Sequence, residues 1–183
     1  RRIMTPKSYG IGFMLSFAVA LLIVITIIVI GEYTKTRGRF LLTAVVLMAY
    51  FFTSMAPAWS ASRRPDSRVG QVALLAAFVA LLTLLTGIWG TPNSDAFWKS
   101  ASIITILGLV SSYVAVVDAE PGRLSGSLSV KVVVLATAIA CVGIANGINW
   151  PLYWWVFTLA TLAWVGSMLI PAVAYLSRKV QGR

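Results

Sequence analysis

Between residues 132 and 176 the chain carries no charged side chain. An α-helix crosses the roughly 30 Å hydrocarbon core of a bilayer with about 20 mainly apolar residues, so this run holds about two crossings and must turn back on itself. The residues show where. Asn146, Gly147, Asn149 and Pro151 form a cluster of helix breakers, and Pro151 suits the first position of the helix that follows. The pattern predicts one span over 132–148 and another over 151–176.

Four further apolar runs of about span length precede this one, at 9–31, 40–61, 69–90 and 97–117. Lys99 is the one charge within them, near the start of the fourth, where its stem can snorkel to the interface. The sequence therefore predicts an all-α integral membrane protein: a bundle of six transmembrane helices in a single transmembrane domain, 1–183. The connecting segments are too short to hold a soluble domain. Composition agrees, since 11% of residues are charged, less than half the roughly 25% that solvates a soluble surface. The chain begins Arg1, Arg2 rather than with Met, so its start is expected to be trimmed or incomplete. Its first apolar run is too long for a signal-peptide core.

The net charge of +10 does not point to nucleic acid, because the basic residues lie in small groups at the ends of apolar runs and not in one patch. Such groups set orientation instead. With six spans, Arg1, Arg2, Lys7, Arg63, Arg64, Arg68, Arg123, Lys131, Arg178, Lys179 and Arg183 share one side, and Lys35, Arg37, Arg39 and Lys99 the other. Eleven against four predicts both termini in the cytoplasm (N-in/C-in), in a bacterial inner membrane. Tyr33, Trp89, Trp98, Trp150, Tyr153, Trp154 and Trp155 then fall at the outer boundary, where aromatic belts form, and Tyr9, Trp59 and Tyr175 near the inner one.

The chain has no histidine, and its five acids, Glu32, Asp66, Asp95, Asp118 and Glu120, all fall outside the predicted spans. That pattern disfavours histidine-ligated metals, haem held by histidine, proton relays built on intramembrane carboxylates, and Ser/His/Asp or Cys/His nucleophiles. The single cysteine, Cys141, lies in an apolar run and packs as a small apolar residue. Neither metal nor catalytic residues are expected.

The clearest positive signal is small residues at helical spacing, which let backbones approach closely in lipid. The fifth span carries Ala136, Ala140, Gly143 and Gly147, closing on a GxxxG, and the fourth carries Ala101, Thr105, Gly108 and Ser112. These faces either pack the bundle internally or dock another subunit. Asn146 and Asn149 either cap the turn before Pro151 or, with Trp150, Trp154 and Trp155, form an outer-rim contact for a ligand. Arg63, Arg64 and Arg68 set orientation and are suited to anionic lipid headgroups. Pro57 and Pro171 interrupt helical runs and can kink them.

The reading these features favour is a non-catalytic structural or accessory subunit of a larger membrane complex, with membrane lipids and other membrane subunits as partners. The alternative is a small-solute or ion transporter or channel, and an intramembrane enzyme ranks third. No cofactor is predicted; a bound lipid or an apolar pigment is the companion such surfaces admit.

Overall fold

The computed structural model describes residues 6–30, 34–63, 68–119 and 124–163. Five long helices run in order: α1 (Pro6–Ile30), α2 (Lys35–Arg63), α3 (Val69–Gly90), α4 (Asp95–Ala119) and α5 (Leu124–Asn146). A shorter apolar helix, α6 (Pro151–Ala163), follows. The five are long and apolar enough to cross a membrane, so the chain is a helical membrane bundle. The remainder of the sixth expected span, 164–176 with Pro171, lies outside the described residues, as does Arg64.

Helices run past the limits that hydropathy sets. α2 covers residues 35–63 where 40–61 was expected, and α5 starts at Leu124 where 132 was expected. Apolar character marks what lipid can cover, whereas backbone hydrogen bonding continues into the headgroup layer until a breaker intervenes, so Lys131 sits inside α5 and not in a loop. Local caps mark several ends. The Arg37 N–H donates to Thr34 Oγ1 at 3.3 Å and the Phe97 N–H to Ser94 Oγ at 3.3 Å, each covering an orphan donor of a first turn.

The chain divides into two compact units, Arg1–Ala119 and Glu120–Arg183. In the first, among the described residues, α2 is central: it packs against α1, α3 and α4, α3 also packs on α4, and α1 packs on α2 alone. The seams are lined by small residues. Gly38, Ala44, Ser54, Pro57, Ala58, Ser60 and Ala61 are buried on α2, and Gly70, Ala73, Ala77, Ala80 and Gly87 on α3. Lipid tails are as apolar as the side chains they would replace, so close backbone approach and the dispersion it brings must hold these helices together. Gly70 shows how close: a Cβ there would lie 2.9 Å from the Ala61 nitrogen and 3.0 Å from the Pro57 carbonyl oxygen.

Aromatic rings make the α1–α2 seam, with Tyr9 edge-on to Tyr50 and Phe51 and Phe13 against Phe52. Nearer the start of α2, the Trp89 indole N–H donates to Thr43 Oγ1 at 3.1 Å while its ring meets Phe40, tying the end of α3 to that part of α2.

In the second unit a Schellman turn ends α5. Gly147 takes φ 62°, the Ile148 N–H donates to the Gly143 carbonyl at 3.0 Å, and the Gly147 N–H to the Ile144 carbonyl at 3.3 Å. α6 then returns with Tyr153 over Gly143, where a Cβ would meet the ring at 2.6 Å, and the Tyr153 hydroxyl donates to the Ile139 carbonyl.

Candidate functional site

The small-residue face of α4 is turned inward. Ala101 and Ser112 are buried, and Gly108 sits on α3, where a Cβ would lie 3.4 Å from the Ala76 carbonyl oxygen and from Ala80 Cβ. Thr105 is half-buried, and its hydroxyl donates to the Ala101 carbonyl at 2.8 Å. On α5, Ala136, Ala140 and Gly143 are buried.

Gly147 does not continue that face, which corrects the GxxxG reading. It lies past the last residue of α5, in a left-handed conformation that an L side chain adopts only at a cost, and serves as the turn's cap.

Of the residues expected at the outer rim, two help to close the α5–α6 turn. The Asn146 amide donates to the Val142 carbonyl at 2.9 Å, and the Trp154 indole N–H to the Ile148 carbonyl at 2.7 Å. Trp150 and Trp155 are exposed, as is Asn149. Aromatic side chains facing outward at this level fit an interfacial belt.

The hydroxyls of the spans are similarly engaged. Thr53, Thr83, Thr86, Ser102, Ser111, Ser112 and Thr137 each donate to a carbonyl three or four residues back on the same helix. Two differ. Ser54 and Ser60, either side of the buried Pro57, have fully buried hydroxyls with no hydrogen-bond partner. Hydropathy gave no signal for them, because an engaged hydroxyl and an orphaned one read alike in sequence.

Two concavities lie in the first unit. A small cavity of about 60 Å³ sits among α2, α3 and α4, lined mainly by apolar side chains such as Val46, Ala77, Leu81 and Leu84, with Tyr50, Thr53 and Thr105. A larger, open groove with room of about 560 Å³ runs between α2 and α4, lined by Phe52, Thr53, Met55, Ala56, Trp59, Ser112, Tyr113 and Val116. Its α2 wall is a stripe at helical spacing, Phe52, Ala56 and Trp59, and the next position on that stripe is Arg63. The Arg63 guanidinium carbon lies 4.5 Å from the centre of the Trp59 ring, a cation–π contact at the groove's end.

Sequence reasoning singled out Arg63 but missed the groove; an aromatic–small–aromatic–arginine stripe was the available signal. Arg68, at the start of α3, is exposed. Among the described residues no cluster of three or more His, Cys, Asp or Glu side chains gathers as a metal site would. No protein-family model, curated protein or solved structure matches this chain.

Proposed function

We propose that this chain is a non-catalytic accessory subunit of a larger membrane complex, embedded N-in/C-in in a bacterial inner membrane. The observation that carries the reading is α1. Among the described residues of its unit α1 touches α2 alone, and it presents Met14 at 67%, Ile28 at 73% and Val29 at 78% exposure along its length. Helix association in lipid is gained seam by seam, so a span with one seam inside its unit leaves most of its circumference free for helices from outside that unit, and we read those as other subunits. The engagement of most span hydroxyls with their own helices supports a role in surface more than in chemistry. The excess of basic residues on the side of the termini supports the orientation.

The test is photo-crosslinking from Met14 and Leu22, each replaced by a photoreactive residue, in the native membrane, with mass spectrometry of the products. Stoichiometric adducts to another membrane protein are expected. Adducts to lipid alone, with a lone chain on mild solubilisation, overturn the reading.

A second reading, a transporter or channel for ions or small solutes, has one observation of its own. Pro57 has no N–H to give the Thr53 carbonyl, and Ser54 and Ser60 beside it are buried and unpartnered. Backbone freed in this way next to hydroxyls can line an ion or solute path. Liposome flux at background for monovalent ions and small neutral solutes would remove it.

A further inference from the structure

We propose that the groove between α2 and α4 seats one acyl chain of an anionic phospholipid, whose phosphate is held by Arg63. The inference rests on the chain's place in a membrane and not on membership in a complex, since a lone chain would bind the lipid equally.

Length is the first argument. From Arg63 to Phe52 the stripe climbs about 16 Å at the rise of an α-helix. That is about half of a hydrocarbon core roughly 30 Å thick, the distance from headgroup level to the bilayer centre. The groove itself, from Trp59 to Phe52, takes about 10 Å of that run, and Arg63 completes the length of one lipid leaflet at the headgroup end.

The lining is the second. Thr53 Oγ1 donates to the Ala49 carbonyl at 2.8 Å and Ser112 Oγ to the Gly108 carbonyl at 2.9 Å, so these hydroxyls are turned to their own helices and the wall offers mainly carbon to an occupant. A helix of another protein would have to match this surface side chain by side chain. A flexible chain of methylenes fills it without such a match.

The cation is the third. Stacked on Trp59, the guanidinium of Arg63 is held at the lip of the groove while remaining exposed, and the edges of a stacked guanidinium keep N–H donors for phosphate oxygens. Arg68, exposed at the start of the next helix, adds positive charge on the same side of the membrane. The acid at the matching end of α4, Asp118, has an interaction of its own.

Tails gain little by leaving other tails for the groove, so preference must come from the headgroup. Discrimination by one arginine is expected at about fivefold for an anionic over a zwitterionic lipid.

The experiment is native mass spectrometry of the full chain released from nanodiscs of phosphatidylcholine and phosphatidylglycerol mixed equally. One retained phosphatidylglycerol per chain is expected, at about fivefold over phosphatidylcholine. Arg63→Gln should abolish the preference, Ala56→Phe should abolish retention of either lipid, and Lys35→Gln, which removes a charge at the opposite end of α2, should change nothing. Circular dichroism confirms that each variant is folded, and Ala56→Leu replaces Ala56→Phe if the larger ring is not tolerated. Preference that survives Arg63→Gln, falls equally with Lys35→Gln, or persists with the groove filled overturns the proposal. So does a photoreactive residue at Ala56 that captures a second copy or another protein in place of lipid.

Discussion

Replacing Gly70 with alanine tests the packing argument most directly. The added Cβ would stand 2.9 Å from the Ala61 nitrogen, 3.0 Å from Ala61 Cβ and 3.0 Å from the Pro57 carbonyl oxygen. Comfortable contacts of carbon begin near 3.5 Å, so α2 and α3 must part by about half an ångström at their crossing. These neighbours are backbone and a Cβ, and no rotamer change can move them aside. Overpacking of this kind costs about 1–3 kcal/mol, while alanine recovers up to about 1 kcal/mol of helix propensity over glycine. The net expectation is a loss of about 1–2 kcal/mol.

Two other glycines calibrate it. At Gly108 the nearest atoms would lie 3.4 Å away, and at Gly10 the nearest is Met55 Sδ at 3.8 Å. Gly108→Ala should therefore be close to neutral and Gly10→Ala neutral or stabilising. Loss of helical circular dichroism on titration with sodium dodecyl sulfate from mild detergent would rank the three. The reasoning is refuted if Gly70→Ala is as stable as the unmodified chain, or if Gly10→Ala is the most damaging.

Other substitutions probe the remaining features. Leu81 is buried and borders the small internal cavity, so Leu81→Ala enlarges an existing void and should cost about 2–4 kcal/mol in the same titration. Thr91 ends α3 at φ 41°, an unfavourable conformation for a β-branched residue; Thr91→Gly should gain about 1 kcal/mol, and Gly147→Ala should lose a similar amount at φ 62°. Ser54→Ala and Ser60→Ala remove hydroxyls that have no partner and should be neutral or stabilising by up to about 1 kcal/mol. A clear loss of stability in either would mean that the hydroxyl is bound to something after all.

The first five spans and the α5–α6 turn were legible because each follows from a single chain segment. Apolar length marks a crossing, and Asn146, Gly147, Asn149 and Pro151 together break a helix whatever surrounds them. Which helices touch was not legible. Gly108 and Ser112 announce that something comes close, but in lipid a small residue serves any neighbour equally, and no charge pairing singles out α3 as the partner. Gly147 shows the opposite error, since its spacing from Gly143 matched a packing motif while its backbone conformation made it a cap. The groove escaped for a related reason: a concavity is a property of two helices at once, and the stripe from Phe52 to Arg63 describes one wall of it.

The start of α2 carries Lys35, Arg37 and Arg39 and has no acid in its first turn. A helix begins with about half a positive charge of its own, so these cations stand at the end where their presence is least favourable. The helix itself supplies no carboxylate there, but its 29 residues extend about 43 Å, enough to reach the phosphate layers on both sides of a membrane about 40–45 Å thick. Thr34 already takes the Arg37 and Gly38 N–H groups of the first turn; the headgroups can complete the cap at Lys35 and Thr36, so that where α2 begins depends on the surrounding membrane as well as on the chain. In an uncharged detergent the Lys35 and Thr36 amides should exchange with solvent readily; in an anionic bilayer they should be protected.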